Sequence, residues 1–231
     1  MKNIIQPKGY HDSMAFSDKI ISLHPITHDV KCFRVEKPSA FNFFPGQAVD
    51  VAINTRDMKD KKRPFTLTSL NTNPYLEFII KNYEQETTTS KLHSLGVGDN
   101  LLISEPFGTI RYKGPGLFIA AGTGITPFLA IFRQLREENN IEGNKLLFSN
   151  KTHQDIIAEK ELVEMLGKNA VFTLTRKQAE GYAHGRIAKE TLKQYLDIAR
   201  YYICGPIQFV VDIKNMLDAL QVKPENVVLE L

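Results

Sequence analysis

Between residues 19 and 104 the apolar runs are short, rich in Val, Ile, Phe and Thr, and broken at close intervals by Pro and Gly. Bounded by turn chemistry such as Phe44-Pro45-Gly46 and Asn71-Thr72-Asn73-Pro74, they predict strands at 20–25, 30–36, 47–53, 65–69, 76–81 and 100–104. Short strands at this spacing predict an all-β unit, either a closed antiparallel barrel or a sandwich. A single helix is expected within it, at 90–95, stopped by Gly96. After Lys113-Gly114-Pro115-Gly116 the pattern changes. Fully apolar strands at 117–121 and 145–148 alternate with segments of helical period at 127–138, 155–166, 188–196 and 206–220, and further strands are read at 171–175, 200–204 and 227–229. That alternation predicts a doubly wound parallel sheet covered by helices on both faces. The expected organisation is a β-barrel domain at 1–112 followed by an α/β nucleotide-binding domain at 113–231.

Composition narrows the class. Of 231 residues, 42% are hydrophobic and 24% charged, which is the balance of a globular protein with a buried core. A net charge of +3 is too small to be an electrostatic footprint for nucleic acid. Two cysteines, Cys32 and Cys204, exclude a disulfide framework, an all-cysteine zinc site and a four-thiolate iron–sulfur cluster within this sequence, and no metal site is read in it. The first thirteen residues lack an apolar signal core, and the most apolar stretch, 117–132, is interrupted by Gly122, Gly124 and Pro127. Neither a signal peptide nor a membrane span is expected, and with free thiols the reducing cytoplasm is the expected address.

Three short motifs carry candidate chemistry. Gly122-Thr123-Gly124-Ile125-Thr126-Pro127 joins an apolar strand to a helix opened by proline. Glycines allow close approach of a phosphate, and a helix N-terminus offers it unsatisfied N–H groups and a positive dipole end. Packing of helix on strand is the plainer explanation of the same glycines. Arg63-Pro64-Phe65-Thr66-Leu67-Thr68-Ser69 reads either as an edge strand with an exposed Arg, or as an Arg fork, an aromatic face and a hydroxyl presented from one strand. A threonine hydroxyl both donates and accepts, which suits a flavin N5 whose role reverses on reduction. The nearby Lys59, Lys61 and Lys62 read as a solvated loop face or as contacts to an acidic electron partner. Cys204-Gly205-Pro206 ends a strand and opens a helix. A cysteine there can be a small core hydrophobe, but ligands of doubly wound sheets bind beyond the carboxyl ends of the strands, so Cys204 and the Gly122 loop should face one crevice.

In this order and spacing the three motifs resemble the ferredoxin-NADP reductase superfamily, in particular its small bacterial flavodoxin and ferredoxin reductase-like members, over nearly the whole chain. The resemblance implies an FAD-binding barrel, a nicotinamide-binding α/β domain, and hydride transfer from NADPH (or NADH) to flavin N5 followed by single-electron delivery to a flavodoxin or ferredoxin. It implies that Arg63 contacts the FAD pyrophosphate, that Pro64 and Phe65 lie against the isoalloxazine, and that Thr66 hydrogen-bonds near N5. The backbone of Ile79, Ile80 and Lys81 would line the flavin, and Thr88, Thr89 and Ser90 would meet the pyrophosphate. Gly122, Thr123, Gly124 and Thr126 would receive the dinucleotide, Cys204 with Gly205 and Pro206 would approach the nicotinamide, and Glu230 would match an acidic residue near the flavin. Thr66, Cys204 and Glu230 are the catalytic candidates.

This sequence departs from the family pattern in three places. Phe65 stands where many members have Tyr, Glu86-Thr87-Thr88-Thr89-Ser90 lacks a glycine that many relatives carry, and the sequence ends at Leu231 without a terminal aromatic, which would leave one flavin face open. Strand 171–174 runs into Thr175-Arg176-Lys177 with no acid before Glu180, a pattern that favours the 2'-phosphate of NADPH; Arg186 lies nearby. Two alternatives stay open: the reductase component of an oxygenase whose iron–sulfur protein is another chain, and a flavin- or nucleotide-binding module without turnover.

Overall fold

Strand β1 (Met14–Pro25) pairs with two neighbours in succession. Its first half lies antiparallel to β6 (Asn100–Ser104), and its second half to β2 (Val30–Glu36), with a register shift between Ile20 and Ser22. The structure, a computed structural model, describes residues 14–83, 87–108 and 110–229. With β3 (Ala48–Ile53), β4 (Arg63–Thr66) and β5 (Tyr75–Lys81) these strands form one antiparallel sheet in the order β4-β3-β6-β1-β2-β5. Leu67 bridges Phe78, and the Thr68 N–H donates to the Glu77 carbonyl at 2.8 Å, so the two outer strands meet and the sheet curls into a near-barrel. Its interior is filled by Phe33, Val35, Phe41, Val49, Leu67, Leu76, Phe78, Leu101 and Ile103, with Leu92 of α1 (Thr87–His93) closing one end.

The second half is a parallel sheet in the order β10-β9-β8-β7-β11-β12. Its strands are β7 (Leu117–Ala121), β8 (Lys145–Asn150), β9 (Ala170–Leu174), the two-residue β10 (Ala183–His184), β11 (Tyr201–Cys204) and β12 (Val227–Leu229). Alternating residues feed opposite faces. Phe118, Phe148 and Tyr202 pack under α2 (Thr126–Glu137) and α3 (Glu159–Leu166). Leu117, Leu147 and Ile203 pack under α4 (Lys189–Lys193) and α5 (Ile207–Asp218). The chain starts at β7 and grows toward β8 on one side and β11 on the other, so the strand order reverses between β7 and β11.

The expected architecture of barrel followed by doubly wound sheet is the observed one. Several boundaries differ. β1 begins at Met14, because its first half is held by β6 while Ser17, Asp18 and Lys19 give it a polar sequence. β4 ends at Thr66, and α1 begins three residues before the expected helix. The helix expected at 155–166 is broken: the Asp155 carboxylate accepts from the Thr152 N–H (2.8 Å) and hydroxyl (2.6 Å), closing a separate turn, and Ala158 takes a φ of +53° before α3 starts. Among the described residues no helix is long and apolar enough to cross a membrane.

Candidate active site

A cleft of about 900 Å³ lies between the barrel and the parallel sheet. Period-two alternation on β5 supplies one wall: Leu76, Phe78 and Ile80 point into the barrel, whereas Ile79 and Lys81 point out and line the cleft. Beside them on β4 stand Pro64, Phe65 and Thr66. Val30 and Ile79 also belong to the apolar cluster that contains Phe118 and α2, so the two halves share a core immediately beneath the cleft.

The opposite wall is the carboxyl end of the parallel sheet. Gly122, at a φ of +54°, turns the chain out of β7, and a Cβ there would meet no heavy atom within 4 Å, which leaves its backbone open to the cleft. Gly122–Ile125 form a tight turn running directly into α2, where the Thr126 hydroxyl donates to the Thr123 carbonyl at 2.9 Å. Gly124 is the packing glycine: a Cβ would lie 2.4 Å from the Cys204 carbonyl oxygen. That contact holds the end of β11 beside the turn, and Cys204, Gly205 and Pro206 line the same cleft as Gly122, Thr123, Gly124 and Thr126. The ends of β8 and β9 complete the wall with Ser149, Asn150, Lys151 and Thr175.

The remaining candidates among the described residues lie outside the lining. Arg63 is exposed at the start of β4, donating to the Lys62 carbonyl at 3.1 Å, and is not in the lining. Ile80 sits in the barrel core, and its carbonyl accepts from His93 Nε2 at 2.8 Å, so it presents nothing to the cleft. Thr88 is buried, Thr89 Oγ1 accepts from the Tyr83 N–H at 3.2 Å, and the Ser90 hydroxyl donates to Asn82 Oδ1 at 3.0 Å. Thr89 and Ser90 thus fasten the segment leaving β5, and the structure does not bring them into the lining. Arg176 is exposed outside the lining, its N–H donating to the Lys151 carbonyl at 2.9 Å. Glu230 lies outside the described residues.

Sequence reasoning missed Asn150 and Lys151. The signal was available, since the strand-end rule that selects the ends of β7 and β11 selects the end of β8 equally.

Lys81 pairs with Asp29. Burial alone would raise the Asp29 carboxyl, but hydrogen bonding from Lys81 and Thr27 and the charges of Lys81 and His28 outweigh it and hold it below its ordinary range. Polar atoms of His28, Asp29 and Asp155 approach within 4.8 Å of one another at the junction of the halves, with Asp29 engaged by Lys81 and Asp155 by Thr152. Lys151 is exposed and has no acidic partner among the described residues.

A partly buried ionic network centred on the buried Glu77 ties the walls together behind the cleft. Arg133 of α2 makes a bidentate pair with Glu161 of α3 (2.7 and 2.8 Å), and its Nη1 reaches Glu77 of β5 and the Thr68 carbonyl, both at 2.7 Å. Arg34 donates to the other Glu77 oxygen at 2.9 Å. Burial would push Glu77 up, yet the two guanidinium groups and the Thr68 hydroxyl hold it below its ordinary value.

Comparisons with known proteins agree with this layout. Residues 18–112 match the oxidoreductase FAD-binding domain family and residues 118–215 the oxidoreductase NAD-binding domain family. Among relatives, NADH-cytochrome b5 reductase 2 of Mycosarcoma maydis is 28% identical over 211 residues, covering 80% of this chain and 59% of that protein. The reductase component of propane 2-monooxygenase from Mycolicibacterium goodii is 26% identical over 230 residues, covering 90% and 65%. The chain therefore spans about three fifths of the length of these relatives. In fold it is similar to a ferredoxin NADP+ reductase from Neisseria gonorrhoeae solved with bound FAD and NADP, at a TM-score of 0.83 and 18% identity, covering 93% of this chain and 97% of that one.

Proposed function

The chain belongs to the ferredoxin-NADP reductase superfamily of FAD- and NAD-binding oxidoreductases, and on that basis we propose that it oxidises NADPH and passes the electrons to a separate carrier protein such as a flavodoxin or ferredoxin. The observation that carries the reading is the shared cleft, in which Pro64, Phe65 and Thr66 of the barrel face Gly122, Thr123 and Cys204 at the strand ends. Bound there, FAD would supply the exchange between the two-electron chemistry of a nicotinamide and the one-electron chemistry of a carrier.

The residues fit both groups. Val30, Ile79 and Phe107 give an apolar wall for a flat ring, and Thr66 offers a hydroxyl able to donate or accept. The open Gly122 backbone and the start of α2 form an anion seat for a pyrophosphate. Gly124, packed on Cys204, fixes the distance between that seat and the thiol, which would hold the nicotinamide end. The work of the protein is positioning: holding two planar groups in contact at ~3–3.5 Å while the walls exclude water. Lys151 and Arg176, at the ends of neighbouring strands, support NADPH as the donor, with no acid between Thr175 and Ala179.

A second reading, the reductase component of an oxygenase, is favoured by the propane monooxygenase relative. With two cysteines, these 231 residues do not supply the four thiolates of an iron–sulfur cluster, which would lie outside them. The test is carrier reduction by FAD-loaded protein and NADPH under anaerobic conditions, with a flavodoxin, a ferredoxin, an oxygenase iron–sulfur protein and cytochrome b5 offered in parallel. Reduction of flavodoxin or ferredoxin is expected. Turnover with cytochrome b5 alone would contradict the proposed carrier, and turnover only with the oxygenase protein would select the second reading.

A further inference from the structure

Asn150 is the last residue of β8, lines the cleft and is 5% exposed, and neither its Oδ1 nor its Nδ2 has a partner among the described residues. A buried carboxamide with both ends unpaired is rare in folded proteins and asks for an explanation. Its polar neighbours are already committed. The Thr175 N–H and hydroxyl both donate to the Asn150 backbone carbonyl, at 2.9 and 3.2 Å. The Thr126 hydroxyl donates to Thr123, and Thr152 and Asp155 close on each other. Among the described residues, Asn150 is thus the buried side chain of the cleft lining whose polar atoms protein contacts leave unsatisfied.

The chemistry of the amide selects the group that would satisfy it. A carboxamide presents an acceptor and a donor side by side, whereas a phosphate only accepts and would use one half of it. A ribose hydroxyl donates and accepts and would use both. Position selects which ribose. In the proposed function the pyrophosphate lies over the Gly122 turn at the end of β7 and the nicotinamide toward Cys204 on β11. β8 and β9 lie on the other side of β7, beside Lys151 and Thr175.

We propose that Asn150 holds the 3'-hydroxyl of the adenosine ribose, the hydroxyl free in both NADH and NADPH, by a two-way hydrogen bond; the proposal rests on reading this cleft as the dinucleotide site. It makes Asn150 a binding residue that senses the sugar common to NADH and NADPH, separate from the cations that sense a 2'-phosphate. It also explains why an uncompensated amide is kept in a buried position.

Calorimetric titration of the FAD-loaded protein with ADP, 2'-deoxy-ADP and 3'-deoxy-ADP tests it. In the unaltered protein 3'-deoxy-ADP is expected to bind about tenfold more weakly than ADP, and weakening of 2'-deoxy-ADP instead would overturn the proposal. Asn150→Leu is expected to weaken ADP by a similar factor and to leave 3'-deoxy-ADP unchanged. Its melting temperature is expected to stay level or rise, because an unpaired buried polar group has been removed. A purely structural asparagine would give the opposite, a lower melting temperature and equal weakening of all three nucleotides, and would overturn the proposal. So would ADP binding indifferent to the substitution. Asn150→Ser, small and still able to donate and accept, repeats the comparison should the leucine variant fail to fold, and is expected to retain part of the preference for ADP. Unaltered protein that binds neither ADP nor NADPH would overturn the dinucleotide site itself, whereas binding without discrimination among the three nucleotides overturns only the role of Asn150.

Discussion

Gly124 has the least room to change of the glycines in the cleft, because the atoms its Cβ would strike, 2.4 Å from the Cys204 oxygen and 2.6 Å from the Gly205 Cα, are backbone. Gly124→Ala is expected to lower stability by about 1–3 kcal/mol, read by thermal melting, and to weaken NADPH more than FAD because the displaced element is the end of β11. Lys151 gives a second test at this scale. Lys151→Ala is expected to raise KM for NADPH about tenfold, the worth of about 1.4 kcal/mol, and KM for NADH little; Arg176→Ala, outside the lining, should do less. Equal effects on both dinucleotides would remove Lys151 from 2'-phosphate recognition. Cys32 is 1% exposed and its thiol is pushed up to about 12, chiefly by burial and then by Glu77, so a thiol reagent at pH 8 should leave it unmodified until the protein unfolds. The places of Gly122, Gly124 and Cys204 in the lining were legible in the sequence because each is tied to a strand end with a marked turn, and that of Thr66 through the motif at 63–69. Asn150 and Lys151 could be reached only through the strand-end rule and were missed, because Ser149-Asn150-Lys151 carries no turn glycine to mark it.

At the scale of elements, β5 does two jobs through its alternation, filling the barrel with Phe78 and Ile80 and offering Glu77 and Ile79 to the other half. Most strands were legible, since their apolar patterns are short and bounded by Pro, Gly and Asn. The first half of β1 was not, because only tertiary pairing with β6 makes a strand of such polar residues, and neither was the break at Asp155, which a local capping interaction imposes on a helical pattern. The Arg133 network had no sequence signal, since its members come from β2, β5, α2 and α3. Removing Arg133 leaves the buried Glu77 with Arg34 and the Thr68 hydroxyl, so Arg133→Met is expected to cost about 1–3 kcal/mol. The pH dependence follows from Glu77. Its carboxyl is held below the ordinary 4.5 in the folded protein, so it binds protons less readily there than in the unfolded chain. Its stabilisation is therefore complete above the ordinary carboxylate range and is lost as pH falls through the folded value. The melting temperature should be level from about pH 7 to 5 and fall below about 4.5, and Glu77→Gln should lower it at neutral pH while flattening that acid limb. An unchanged acid limb would assign acid sensitivity to other carboxylates.

For the whole molecule, the order of barrel then doubly wound sheet was legible because hydrophobic period changes once, near residues 113–116, and each half has its own pattern. What the halves build between them was only partly so. The cleft depends on Val30 and Ile79 joining the α2 core, on Tyr202 receiving the Lys113 N–H and donating to the Gly114 carbonyl, both at 2.8 Å, and on the Arg133 network behind. These contacts fix the barrel wall against the strand ends, and the central claim is that this fixed geometry lets a dinucleotide reduce a flavin within one cleft. The most direct measurement is anaerobic mixing of FAD-loaded protein with one equivalent of NADPH, following flavin absorbance. The account predicts stoichiometric bleaching in a single fast phase, slowed in Gly124→Ala. Protein that binds both FAD and NADPH yet keeps its flavin oxidised would contradict it.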